Sequence, residues 1–166
     1  MIIRPEQETD RQRIRIINTS AFETDAEATL VDALRQSGIP LISLVAEEGT
    51  QLIGHILFSP VSLTGQTHAI AGLAPMAVLP EWQGKGVGSC LVTEGLKYCI
   101  EAGYIAVVVL GHPNYYQRFG FVPASSFNIK SEYKVPDEAF MLKELEPSAL
   151  TEIQGVIQYH EAFEKI

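Results

Sequence analysis

Cationic charge is scarce in this chain: 12 Lys and Arg stand against 20 Asp and Glu, for a formal net charge of −8 over 166 residues. That balance argues against a nucleic-acid binder, whose affinity rests on neutralising phosphates with Lys and Arg. It does not exclude a single bound anion, because backbone N–H groups can hold one on an acidic protein. The overall field suits a basic substrate such as an amine. Cysteine is nearly absent too, with only Cys90 and Cys99. Both fall on one expected helix, where nine residues put them about 13.5 Å apart, beyond the roughly 7 Å that a disulfide tolerates. Reduced thiols in a reducing compartment are expected. No apolar run approaches the ~18 residues of a membrane span. The start, Met1-Ile2-Ile3-Arg4-Pro5-Glu6, has neither the basic end nor the apolar centre of a signal peptide, so a cytoplasmic protein without a membrane partner is expected. His55, His68, His112 and His160 show no metal-ligand spacing, so no metal is expected. Ser59, Ser62 and Ser89 lack the Gly-x-Ser-x-Gly setting of a hydrolase nucleophile.

What is present reads as ordinary globular sequence, 46% apolar and 19% charged, without repeats, low-complexity stretches or linkers, and of a length that suits one domain. Met1–Arg4 is an opening strand ended by Pro5. Thr9 or Asp10 caps a helix through about Thr19, and Asp25 caps a second that ends at Gly38. Leu41–Glu47 and Gln51–Leu63 form a hairpin around Glu48-Gly49-Thr50. A turn at Gly65-Gln66-Thr67 leads into a long strand, Ala69–Leu79. The helix over Val87–Glu101 is amphipathic: Val87, Leu91, Gly95, Tyr98 and Cys99 share one arc, and Ser89, Thr93, Lys97 and Glu101 another. Tyr104–Leu110 is a continuous apolar run, expected as a strand buried on both faces. Asn114–Phe119 is at most a short helix, and Phe121–Ala124 and Ala139–Leu145 are the last expected strands.

The segment between the long strand and the amphipathic helix, Gln83-Gly84-Lys85-Gly86-Val87-Gly88, carries the chemistry. A strand that turns through glycines into a helix N-terminus is a device for holding an anion. The first N–H groups of a helix lack intrahelical acceptors, the dipole adds positive potential there, and glycines let a phosphate approach the backbone. A P-loop requires Gly-Lys-Ser/Thr at its end, but Ser89 follows Gly88 and the only lysine, Lys85, stands inside the run. A dinucleotide fingerprint requires a third glycine where Ser89 stands, and an acidic residue about 20 positions on, where Ala106–Leu110 is wholly apolar. The surviving pattern is Gln-x-x-Gly-x-Gly after a strand.

That pattern resembles the pyrophosphate-binding motif of the GNAT superfamily of N-acetyltransferases. Tyr115-Tyr116-Gln117-Arg118-Phe119-Gly120-Phe121, following the apolar strand 104–110, resembles the superfamily's Tyr-x-x-x-Gly-Phe element. The resemblance spans Ile3 to about Glu146 and implies an α/β fold with a central mixed, mostly antiparallel sheet flanked by helices. Residues 1–146 would be the acetyltransferase domain. The segment 147–166 would belong to it or serve as a dimerisation segment, a homodimer being the protein partner considered. The resemblance further implies acetyl-CoA as co-substrate. Gln83, Gly84, Lys85, Gly86, Val87, Gly88 and Ser89 would hold its pyrophosphate, and the N–H of Ala77 or Val78 would lie within reach of the thioester oxygen. Pro75, which cannot donate to a ladder, marks a distortion in the strand where a ligand could pair with the backbone.

The implied reaction is direct attack of an amine on the thioester. Tyr116, four residues before Gly120, takes the place of the family's acid tyrosine, with Tyr115 as the alternative. Many members carry a base glutamate on the strand before the loop. Leu73–Leu79 has no ionisable side chain here, which leaves Glu23, His55 or a water chain. Glu81 reads as a solvated acid near the helix start, and Arg118 as either a phosphate contact or a partner for an acidic neighbour. Two functional classes follow: an acetyltransferase acting on a small-molecule or peptide amine, and a non-catalytic acyl-CoA-binding module that kept the loop and lost the chemistry. The missing glutamate favours the second and Tyr116 the first.

Overall fold

The computed structural model describes residues 1–165. The chain forms two compact units. The first comprises 1–59, 74–97 and the residues from 161, and the second comprises 60–73 and 98–160.

In the first unit, β1 (Ile2–Pro5) pairs antiparallel with β2 (Ile42–Glu48), and β2 with the N-terminal part of β3 (Gln51–Leu63). The β2–β3 register slips between Ala46 and Glu47. Helices α1 (Arg11–Phe22) and α2 (Ala26–Ser37) contribute Ile14, Ile17, Leu30, Val31 and Leu34 to the core, each at most 2% exposed. Helix α1 runs three residues past the expected Thr19 and stops where Glu23 turns left-handed, φ 62°. Gly38, φ 78°, closes α2 in the conformation that favours glycine. Neither expected aspartate cap forms a cap hydrogen bond. The buried Asp10 carboxylate instead accepts from the Gln7 N–H at 2.7 Å and from Arg4 at 2.7 and 3.1 Å. A strong cation beside it holds that carboxyl below its ordinary range.

Helix α3 (Val87–Glu101) begins in this unit and has the expected bounds. Val87, Leu91, Val92 and Leu96 are buried, whereas Ser89, Thr93 and Lys97 lie on the wetter side. The helix packs close because two glycines allow it. A Cβ on Gly54 of β3 would stand 3.0 Å from both Leu91 and Val87, and one on Gly95 would stand 2.6 Å from Phe58 Cζ and nearer still to Cε1. Gly95→Ala therefore sets two effects against each other. Alanine gains up to about 1 kcal/mol of helix propensity, but overpacking against a fully buried ring costs about 1–3 kcal/mol. A net loss of about 1–2 kcal/mol is expected in urea unfolding, relieved when Phe58→Leu is added.

The second unit takes the end of β3 from Pro60, which turns through Thr64 and Gly65, both left-handed, into β4 (Gln66–Val78). Two consecutive positive φ angles make the tight hairpin turn that matches strand twist. β4 pairs parallel with β5 (Ala106–Leu110) over a short ladder, Ile70↔Ala106 to Gly72↔Val108. β5 pairs antiparallel with β8 (Phe140–Glu144), which also takes β6 (Val122–Pro123). Two strands were not expected from the sequence. β7 (Ile129–Ser131) pairs parallel with β9 (Gly155–Gln158), and β9 pairs antiparallel with the end of β3. Ala106–Val109 are at most 2% exposed, as expected for a covered strand, while Leu110 at its end is 38% exposed. Val61, Ile70, Val108, Ile129, Phe140, Leu142, Leu150 and Ile157 form one core cluster. Most pairings are antiparallel, which matches the expected sheet class. No described helix is long and apolar enough to cross a membrane.

Candidate functional site

The first unit gathers the loop and the strand end that leads to it. After β4 the chain makes a short 3-10 turn, Pro80–Trp82, then runs through Gln83 to two left-handed glycines, Gly84 (φ 75°) and Gly86 (φ 86°). A residue with a Cβ is strained at such angles. No atom lies within 4 Å of where a Cβ on either glycine would stand, so both open onto free space. The Cys90 N–H donates to Gly86 O at 3.1 Å, so the helical ladder opens at Gly86. Lys85 folds its ammonium over the ring of Trp82, 5.2 Å from the centroid. Glu81 is exposed, as read from the sequence.

Strand polarity separates Ala77 from Val78. The Leu79 N–H donates to Ile53 O of β3 at 2.9 Å, and Ala77 O approaches Gly54 of β3. N–H and C=O groups alternate sides along a strand. Ala77 and Leu79 thus turn their backbone polar groups toward β3, and Val78 turns its own away. Gln83 secures this arrangement: its amide Nε2 donates to Val78 O at 3.0 Å, tying the loop to the strand end. The β4–β5 ladder closes at Gly72, well before Val78. The Ala74–Pro75 peptide is cis.

The same unit removes one candidate base. His55 is 0% exposed on β3 and both ring nitrogens are engaged. Asn18 Nδ2 lies 3.2 Å from Nδ1, and Ser43 Oγ lies 2.8 Å from Nε2. The amide nitrogen, which also donates to Ile14 O, can only donate, so Nδ1 accepts and Nε2 carries the proton. Ser43 in turn donates to Glu6. Arg35 grips the Glu6 carboxylate with both arms, at 2.9 and 3.1 Å. Burial pushes the imidazole down to about 3, against the nearby Glu6 charge. A histidine so placed, buried and with both ring nitrogens occupied, offers no free lone pair to a substrate amine. Its slot as a possible base is corrected to a structural one, because the sequence does not reveal that both nitrogens are occupied. Glu23, at the left-handed end of α1, is exposed.

In the second unit, α4 (Pro113–Tyr116) and a 3-10 turn, Gln117–Phe119, carry the Tyr-x-x-x-Gly-Phe element to Gly120, φ 91°. Tyr116 is buried, 8% exposed, with its ring edge-on to Tyr115 (5.0 Å, 85°) and Phe121 (5.6 Å, 67°). Burial, reinforced by Tyr115, pushes its phenol up to about 12. Arg118 stacks on the Tyr115 ring at 4.4 Å and donates to Tyr115 O at 3.2 Å. Cys90 is an exposed free thiol and Cys99 a buried one. Among the described residues no group of His, Cys, Asp and Glu is placed to hold a metal ion.

Comparison with known proteins identifies the family. Residues 41–123 match the family model of the acetyltransferase (GNAT) domain. Over 167 aligned residues, 99% of each chain, the sequence is 40% identical to the N-acetyltransferase YhbS of Escherichia coli strain K12. It is 36% identical to the N-acetyltransferase YjhQ of the same strain, over 86% of this chain and 83% of that one. The crystal structure of E. coli YhbS in complex with CoA superposes with a TM-score of 0.95 at 38% identity, over 99% of this chain and 92% of that one. A GNAT acetyltransferase from Brucella melitensis, solved with acetyl-CoA, matches with a TM-score of 0.82 at 38% identity, over 98% and 97%. Matched by the family model over half its length and by a relative end to end, the chain belongs to the GNAT family of N-acetyltransferases.

Proposed function

We propose that this protein transfers the acetyl group of acetyl-CoA to a primary amine of a small molecule or peptide, the amine attacking the thioester directly in a ternary complex. The carrying observation is the Gln83–Gly88 loop: two left-handed glycines open to space, feeding the first turn of α3. Such a cradle fits a pyrophosphate, and the relatives solved with CoA and acetyl-CoA support that occupant. Gly84 to Ser89 supply N–H donors, and Lys85 adds charge once it leaves the Trp82 ring. Gln83 acts through its hold on Val78 O. Of the two strand-end candidates, Val78 is the better thioester donor because its N–H turns away from β3, whereas the Ala77 backbone faces β3. One well-aimed donor to a developing oxyanion contributes about 2.7–4 kcal/mol. We place the reaction in the cytoplasm, in keeping with the two free thiols.

The first test is thermal unfolding with and without acetyl-CoA. At a hundredfold excess over the dissociation constant a ligand stabilises by about 2.7 kcal/mol, an upward shift of roughly 5–11 °C at 2–4 °C per kcal/mol. The single tryptophan, Trp82, adjoins the loop, so its emission gives a second readout. No response in either would overturn the reading of the loop.

Tyr116 is assigned the proton donor's place. With its phenol near 12 and an ordinary thiol near 8.5, complete proton transfer to the leaving thiolate is uphill. Its role is a hydrogen bond to the sulfur as charge develops there. Tyr116→Phe is expected to lower kcat by about 10²-fold while the acetyl-CoA thermal shift persists. Since the raised phenol stays protonated, kcat of the unaltered protein should hold to at least pH 10. A basic limb below that, absent in Tyr116→Phe, would contradict the assignment. With His55 excluded, Glu23 and water remain to take the amine proton.

A further inference from the structure

We infer that Gly111 is a positioning residue for Tyr116, keeping the phenol where it can reach the sulfur. The inference rests on the reading of Tyr116 as donor. Gly111 follows β5 and its N–H donates to Ala139 O at 2.9 Å. Its φ lies outside the left-handed region, so backbone conformation does not call for glycine there. Space does. A Cβ on Gly111 would stand 2.9 Å from Tyr116 Cδ2, 3.5 Å from Cζ and closest of all to Cε2. The ring edge Cδ2–Cε2 packs against the backbone of Gly111 at the end of β5.

It cannot retreat at little cost. Tyr115 and the fully buried Phe121 close on the ring edge-to-face. The Tyr116 backbone is tied on both sides, its N–H donating to His112 O at 3.2 Å and its carbonyl accepting from the Phe121 N–H at 3.4 Å. A methyl group at position 111 therefore moves the ring by about 1 Å to restore ordinary contact, and a shift of that size at a reacting centre can cost about 10²-fold in rate.

The test is a cycle of Gly111→Ala and Tyr116→Phe, read as CoA released from acetyl-CoA in the presence of pooled primary amines (a polyamine, an amino sugar and a lysine peptide). Gly111→Ala is expected to lower kcat by about 10- to 100-fold with KM for acetyl-CoA unchanged. The double variant should turn over no more slowly than Tyr116→Phe alone, because the phenol that Gly111 positions is already gone. Losses that multiply in the double variant, or wild-type turnover in Gly111→Ala beside a slow Tyr116→Phe, would overturn the positioning role alone. Wild-type turnover in Tyr116→Phe would overturn the donor reading and this inference with it. Should Gly111→Ala fold poorly, Tyr116→Ala in the same chain decides the contact. With the ring removed the methyl has room, and the double variant should melt with Tyr116→Ala alone. A lower melting temperature would mean that Gly111 serves the strand end and not the ring.

Discussion

Gly86→Glu is expected to abolish the acetyl-CoA thermal shift while leaving a folded protein. Two effects act together. Gly86 has φ 86°, where an L-residue is strained by about 1–2 kcal/mol, and a carboxylate there would point a negative charge into space now open above the glycine. The same space is where the pyrophosphate is proposed to sit, so like charges would meet at a site built to attract an anion. A loss of at least 100-fold in affinity is expected by calorimetry. Gly86→Ala separates the two effects, since it carries the strain without the charge and should bind more weakly than the unaltered protein but better than Gly86→Glu. Gly103, left-handed at φ 89° and equally open, is the control. Gly103→Ala should cost comparable stability and no affinity. If Gly86→Glu bound acetyl-CoA as well as the unaltered protein, the loop would be only a strand-to-helix turn.

The loop was legible in the sequence because its information is local. Glycine spacing, the apolar strand before it and the amphipathic helix after it lie within about thirty residues, and each constrains the next. The bounds of α3 and the turn at Gly38 were readable for the same reason. What escaped was set by contacts distant in sequence. β9, four residues long, is held by β3 and β7, and Gly155-Val156-Ile157-Gln158 has no pattern that demands a strand without those neighbours. Asp10 was expected to cap a helix by its side chain, but Arg4 and the Gln7 N–H occupy its carboxylate. Nor does any local pattern mark Gly111, whose importance comes from a ring five residues on that folds back over it. His55 was open to a catalytic reading only until Asn18, Ser43 and Glu6, drawn from a helix, a strand and a loop, were placed around it.

That enclosure predicts how stability depends on pH. The buried imidazole titrates near 3 in the folded protein against 6.5 for an unperturbed histidine, chiefly through desolvation. Between those values the unfolded chain binds a proton that the folded chain refuses. Stability therefore rises with pH across this window: it is complete above about 6.5 and falls as the solution is acidified. The slope is at most about 1.4 kcal/mol per pH unit for one proton. Glu6 and Asp10, both held below their ordinary values by arginine partners, contribute in a lower range. Their stabilisation is present above the unfolded carboxyl values and is lost only as pH falls beneath them. Between pH 6.5 and 5, His55 gains a proton only in the unfolded chain, and this alone should lower the stability of the unaltered protein by about 1.6 kcal/mol in urea unfolding. His55→Gln cannot titrate. It should be less stable at pH 7, by about 1–3 kcal/mol for a disturbed buried hydrogen-bond chain, and nearly flat between pH 6.5 and 5. An unchanged slope in that variant would locate the titrating group elsewhere. The contrast also bears on mechanism. A histidine acting as base would impose a limb near its pKa on turnover, whereas His55 should write its titration into folding stability and leave no such limb on the rate.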